Sequence, residues 1–327
     1  MIPIRDNIAS RRYPLVNTIL IVVNTLVFVH QMSQGDLFNR FILTYGLVPA
    51  RYSIHEYSLY FSSFQQVFSF VSYMFLHGSF WHLLGNMWFL YIFGDNVEDR
   101  LGHLKYLLFY VLCGITSGLT HLFFNVTSTL PTVGASGAIA GVMGAYFLLY
   151  PAAKIVTLIP IVIIPYFFEI PAALFLGIWL FLQFISAAFT GADVGGIAWW
   201  AHIGGFLFGA LFLKLFLMLP KENLPGALGE ATVRKSTPRL HVAHPVVSSE
   251  DPDIYGTLAI TPEEAERGSS KLVSIPVGYQ KKLVRLRIPP GIKDGAKIRL
   301  AGLGRKDGEG KAGDVYLIVS VRDIYNL

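Results

Sequence analysis

Apolar residues run along this chain in long blocks rather than in alternation, and the blocks stop near residue 220. A hydrocarbon core takes about 20 helical residues to cross, with a range near 17–25. Six blocks have that length and apolarity, near 15–31, 80–97, 104–126, 133–150, 168–189 and 197–219. A further apolar stretch, 155–167, is too short and is interrupted by Pro160 and Pro165. It is expected to lie at the interface as a lead-in to the fifth span. Another short run, 64–76, sits inside the long segment 32–79 and is expected to rest along the membrane surface. After a linker at 221–250 that is rich in Pro, Ser and charge, the pattern changes to short β runs at 272–277, 283–288, 297–300 and 315–321. The predicted architecture is therefore an α-helical polytopic membrane bundle of six transmembrane helices over residues 1–220, a linker over 221–250, and a small soluble β domain over 251–327.

Composition sharpens that division. The chain is 53% hydrophobic and only 14% charged, with a mean hydropathy of +0.52, whereas soluble domains carry about 25% charged residues. Residues 1–220 hold nine Lys/Arg and eight Asp/Glu, and residues 221–327 hold seventeen and thirteen. The net charge of +5 does not point to nucleic acid, because basic residues are scattered and interleaved with acids. Cys113 is the single cysteine and lies in an apolar stretch, so it is expected to be a buried hydrophobe and no internal disulfide can form. The basic start with Arg5, Arg11 and Arg12 leads into 15–31 with no small-residue cleavage motif, which predicts a retained signal anchor.

Lys and Arg are retained on the cytoplasmic side, and they set the orientation. With both termini inside, Arg5, Arg11, Arg12, Arg100, Lys105, Lys154, Lys214 and Lys221 are all cytoplasmic, and only Arg40 and Arg51 fall outside. Spans two, four and six then run from outside to inside. His82 opens span two, Ser136 opens span four and His202 opens span six, so the three are expected at similar depth in the outer part of the membrane. Polar side chains are costly there and mark function.

Ser136 sits in Gly134-Ala135-Ser136-Gly137, whose small neighbours allow close approach to the hydroxyl. Serine needs a base within about 2.6–3.2 Å to become a nucleophile, and His202 is the candidate. Small residues at Ser136, Ala140 and Gly144, and at Gly205 and Gly209 beside His202, predict tight packing of spans four and six. His82 and Asn86, four apart on one helical face, could donate hydrogen bonds to an oxyanion together with the Ser136 N–H.

Taken singly, each of these has a structural explanation: glycines that pack helices, a serine that bonds within its own helix, a His–Asn pair that joins two helices. As an ordered set they resemble the rhomboid family of intramembrane serine proteases over roughly residues 10–220: His-x-x-x-Asn, Gly-Ala-Ser-Gly, and Ala201-His202-Ile203-Gly204-Gly205-Phe206-Leu207-Phe208-Gly209. The resemblance implies a serine endopeptidase acting on transmembrane protein substrates in the lipid bilayer, with Ser136 as nucleophile, His202 as general base and His82 with Asn86 as oxyanion donors. It implies no cofactor, and with Asp193 in the preceding loop it implies a dyad. Some rhomboids carry a Trp-Arg pair in the first external loop; residues 32–79 contain no tryptophan.

Other polar residues receive structural expectations. His77 supports the external loop or lies on the surface, Glu169 caps or flanks span five, and 94–102 forms a cytoplasmic connector. No metal is expected, since His82 and His202 lack a third ligand and no His-Glu-x-x-His occurs.

The tail from about 254 to 324 resembles the C-terminal client-binding domain of DnaJ-type co-chaperones, through Thr261-Pro262-Glu263-Glu264-Ala265-Glu266-Arg267-Gly268, Ile288-Pro289-Pro290-Gly291-Ile292-Lys293-Asp294-Gly295, Ile298-Arg299-Leu300-Ala301-Gly302-Leu303-Gly304 and Gly313-Asp314-Val315-Tyr316. No His-Pro-Asp tripeptide accompanies it, so chaperone recruitment is not implied and peptide or client binding is. The competing functional reading is a catalytically silent rhomboid-like binder or escort of membrane proteins. A transporter is a poorer reading, without inverted repeats or paired intramembrane acids. The expected location is a prokaryotic plasma membrane.

Overall fold

A computed structural model describes residues 1–8, 10, 12–161, 164–189, 198–220, 240–242, 245–246, 252–277, 280–305 and 312–321. The chain forms two compact units, Met1–Arg234 and Lys235–Leu327.

In the first unit, strand β1 (Ile2–Asp6) precedes helix α1 (Leu15–Met32). The segment expected to be external folds into short helices α2 (Phe38–Tyr45), α3 (Ala50–Ser53), α4 (His55–Ser58) and α5 (Ser63–Ser72). The long helices follow: α6 (Phe80–Leu101), α7 (His103–Phe124), α8 (Ser136–Leu149), α9 (Ala172–Phe189) and α10 (Trp199–Met218). Four of the described helices, α1, α7, α9 and α10, are long and apolar enough to cross a membrane. Helix α6 is long but carries Asp95, Glu98, Asp99 and Arg100 in its last two turns, and α8 is apolar but only 14 residues long.

Helix α1 docks through a polar stripe inside an apolar helix. Asn17, Asn24 and Gln31 recur every seven residues on its buried face. Asn17 Nδ2 donates to the Leu90 carbonyl at 3.0 Å and its Oδ1 accepts from Tyr106 at 2.7 Å. Gln31 clasps the backbone of His77 at both its N–H and its carbonyl.

Two expectations are corrected. The segment 94–102 is not a connector: it continues α6, and the turn into α7 is Gly102 alone, at φ +91°. The helix persists because its acids have partners on other elements. Glu98 accepts the Val16 and Asn17 N–H groups at 2.9 and 2.7 Å, which caps the start of α1, and it also bonds His103. Asp95 accepts from the Ser10 hydroxyl and Asp99 from the Arg12 N–H.

The second correction concerns the start of span five, expected near 168, because the apolar stretch leading into it is built of strands that run on to Pro171. That stretch belongs to a three-stranded antiparallel sheet, β2 (Lys154–Ile161) pairing with β3 (Ile164–Pro171) and with β1. Its β-branched residues suit a strand, and Pro160 and Pro165, opposite each other near the turn, are compatible with a hairpin end. Span five accordingly starts at Ala172, and Glu169 is an exposed strand residue paired with Lys154 at 3.0 Å.

Helices α8 and α10 pack most closely. A Cβ on Gly205 would stand 2.1 Å from the Gly137 carbonyl oxygen, and one on Gly209 would stand 2.1 Å from that of Gly141. The seam on α8 runs through Gly137, Ala140, Gly141 and Gly144, and Ser136 faces the same partner through its bond to His202 of α10.

The second unit contains β4 (Leu240–Val242), β5 (Pro245–Val246), β6 (Ile254–Ile260), helix α11 (Pro262–Arg267), β7 (Ser269–Val277), β8 (Gln280–Ile288), β9 (Lys297–Leu300) and β10 (Val315–Val321). They form two sheets, ordered β5-β6-β10-β9 and β4-β7-β8. Alternation along β6 buries Ile254, Leu258 and Ile260 against Ile288 and Leu317. Thr261 and Glu264 close a capping box on α11, with Pro262 at its first position. The linker predicted at 221–250 lies largely outside the described residues.

Candidate active site

Ser136 is the first residue of α8, so its backbone N–H belongs to the helix-start donors that have no partner within the helix. The chain arrives there through Gly134, whose φ of +129° suits glycine and whose N–H is held by the Tyr73 carbonyl at 2.9 Å. Four residues into α10, His202 is buried, and its Nε2 lies 2.8 Å from Ser136 Oγ. That distance is the hydrogen bond a nucleophile and its base require.

His82 and Asn86 flank the same turn. A Cβ on Gly134 would come within 2.8 Å of the His82 ring and 3.5 Å of Asn86 Nδ2. The Gly78 N–H donates to His82 Nδ1 across 3.4 Å, which leaves the His82 proton on Nε2, the nitrogen beside Gly134. Asn86 Nδ2 is buried with no protein partner. Two donors thus converge near the start of α8, and all four site residues named from the sequence line one cavity of about 590 Å³. Its walls also carry Trp81, Trp179, Trp199 and Trp200, so the polar groups are set in an aromatic enclosure.

His77, expected as a loop support or a surface residue, is fully buried and meets the His82 ring edge-on at 5.2 Å. Burial first, and His82 second, push its pKa down to about 3, so it stays neutral beside the site. Two further polar residues had no signal in the sequence, His121 on the cavity wall and Gln183 beside His202. His121 of α7 bonds Thr132 at 2.8 Å, and Gln183 of α9 places Oε1 2.8 Å from His202 Nδ1. Both lie in predominantly apolar helices, and only the helix packing brings them here. Asp193 lies outside the described residues.

An apolar helical bundle with a hydrogen-bonded Ser–His pair at the head of two tightly packed helices defines a membrane-integral protein with a hydrolase-type site. Residues 65–219 match the rhomboid domain and residues 241–325 the DnaJ C terminal domain, so the chain carries a rhomboid domain followed by a DnaJ C-terminal domain. It is 29% identical over 180 residues to Rhomboid protein 1, mitochondrial, of Saccharomyces cerevisiae, across 53% of this chain and 45% of that protein. It is 29% identical over 175 residues to Rhomboid protease GlpG of Haemophilus influenzae, across 53% of this chain and 81% of that protein. It is also 35% identical over 106 residues to the Curved DNA-binding protein of Coxiella burnetii, across 32% of each chain. The chain thus spans under half the length of the yeast relative.

Proposed function

We propose that this protein is an intramembrane serine endopeptidase that hydrolyses peptide bonds in or near the transmembrane segments of other membrane proteins. The observation that carries the reading is the 2.8 Å contact between Ser136 Oγ and His202 Nε2 inside an aromatic-walled cavity. The rhomboid domain match and the protease named among its relatives support it.

In the proposed reaction His202 Nε2 takes the Ser136 proton as Oγ adds to the scissile carbonyl. The carbonyl oxygen becomes an oxyanion near the Ser136 N–H, His82 Nε2–H and Asn86 Nδ2–H. Each such donor is worth about 10²–10³-fold in rate. The imidazolium then protonates the leaving amine, and the acyl-enzyme is hydrolysed by a water whose proton His202 accepts. An extended, locally unwound substrate segment suits this cavity, and the reaction needs no cofactor.

Six membrane crossings are part of the proposal, with α6 and α8 added to the four apolar helices. Both termini are proposed to be cytoplasmic, as the distribution of Lys and Arg favours, and the membrane to be a prokaryotic plasma membrane. The proposed division is a protease domain at 1–220, a linker at 221–250 and a soluble domain at 251–327, which would hold an extended peptide such as a substrate's cytoplasmic tail. The DNA binding in the Coxiella relative's name is not carried over to this chain.

The test is cleavage of a single-span substrate by the purified protein in liposomes, beside Ser136→Ala and His202→Ala. Loss of cleavage and of fluorophosphonate labelling in both folded variants is expected. No cleavage and no labelling by the unaltered protein would replace the protease with the non-catalytic escort.

A further inference from the structure

We infer that Gln183 is a positioning residue, which sets the tautomer of His202 and so makes it a base toward Ser136; this rests on the reaction proposed above. The contacts leave one arrangement of protons. The Gln183 amide nitrogen can only donate, and it lies 3.3 Å from the Trp179 carbonyl, one turn back in α9. Its Oε1 is thereby turned to His202 Nδ1 at 2.8 Å. An amide oxygen only accepts, so Nδ1 must carry the hydrogen. A neutral imidazole has one ring proton, and Nε2 is therefore a bare lone pair, aimed at Ser136 Oγ from 2.8 Å.

The surroundings protect that choice. Gln183 is 6% exposed and His202 9% exposed, so water competes poorly for Nδ1. The Trp179 ring lies 5.9 Å from the imidazole and the Trp199 ring 6.3 Å, the latter edge-on, so aromatic rings flank it. Once Nε2 has taken the serine proton, the Nδ1–H remains bonded to the Gln183 carbonyl dipole. A neutral amide performs both tasks without a charge in α9, whose sequence has no Asp, Glu, Lys or Arg and whose mean hydropathy is 2.1. A carboxylate there would have to be desolvated.

The test combines kinetics with ¹⁵N spectroscopy of the His202 ring in the bilayer, assigned by difference against His202→Ala. In the unaltered protein the proton is expected on Nδ1. Gln183→Leu removes the acceptor: the proton should redistribute toward Nε2 and kcat should fall about 10- to 100-fold, the scale of one hydrogen bond to a developing charge, with KM changed by less than about threefold. Gln183→Glu keeps an oxygen at the same reach and should restore the Nδ1–H tautomer and most of kcat. An Nδ1–H tautomer persisting in Gln183→Leu, or kcat unchanged in it, would overturn the inference. If the unaltered protein cleaves nothing, the proposed activity fails instead, and the ring spectra still decide the role of Gln183.

Discussion

Gly205 and Gly209 hold the site together by having no side chain. A methyl group at either would overlap a carbonyl oxygen of α8 at 2.1 Å, and a backbone oxygen cannot swing aside as a side-chain tip can. Gly205→Ala and Gly209→Ala are expected to separate α8 from α10, to destabilise the membrane unit by about 1–3 kcal/mol or more, and to abolish fluorophosphonate labelling of Ser136. Thermal unfolding in detergent measures the first effect. Gly177→Ala in α9, which meets nothing within 4 Å, should gain up to about 1 kcal/mol from helix propensity and keep its labelling. At this scale much of the site was readable from the chain. Ser136, His202, His82 and Asn86 stand out because a polar group at the head of an apolar run is costly and needs a purpose. Gln183 did not, because one glutamine within an apolar helix acquires meaning only when the opposing helix face is known.

Among the elements, α8 is the informative one. Its 14 residues rise about 21 Å, less than a hydrocarbon core of about 30 Å, so in the proposed topology Ser136 starts below the outer surface. The irregular chain before it is tolerated because its backbone groups are paired within the protein, Thr132 with Leu47 and Gly134 with Tyr73. At the opposite end of α6 the buried acids do the binding. Glu98→Gln should weaken the capping of α1 and cost about 1–3 kcal/mol, read as a lowered unfolding temperature.

Asp6 of β1 gives a pH-dependent counterpart. Burial raises its carboxyl from the usual 3.8 to about 6, against the lowering hydrogen bond from Tyr146 and with a smaller upward push from Asp95. The folded state therefore binds the extra proton, and the stability this contributes is complete below about pH 4 and lost as pH rises through about 6. The unaltered protein should lose up to about 2 kcal/mol relative to Asp6→Asn between pH 4.5 and 7.5, measured by melting in detergent. The helices were legible from run length, whereas β2 and β3 were not. Their apolar residues look like a truncated span until a third strand, 150 residues away in sequence, is seen beside them.

For the molecule as a whole, every residue assigned to the site falls within Met1–Arg234, and the second unit has its own core. Truncation after Arg234 is expected to leave the rate of fluorophosphonate labelling at Ser136 unchanged in detergent, while slowing cleavage of any substrate whose soluble tail the second unit holds. Comparing labelling with cleavage for the two lengths checks both statements. The domain order was legible because hydropathy and charge change together near residue 220. The pairing of β6 with β10, parallel and some 60 residues apart, was not, since short strands do not reveal their partners.

The amino-terminal strand also sets a birth order. Ile2–Asp6 are made well before their partner β2, which is encoded after α8. At a synthesis rate of about 5–20 residues per second, the ribosome needs roughly 10–30 s to deliver that partner. Throughout that interval the edge of β1 that pairs with β2 is open. A bulky fusion at Met1 is consequently expected to be tolerated while the helices up to α8 are made and resisted later, when β1 takes its place beside β2.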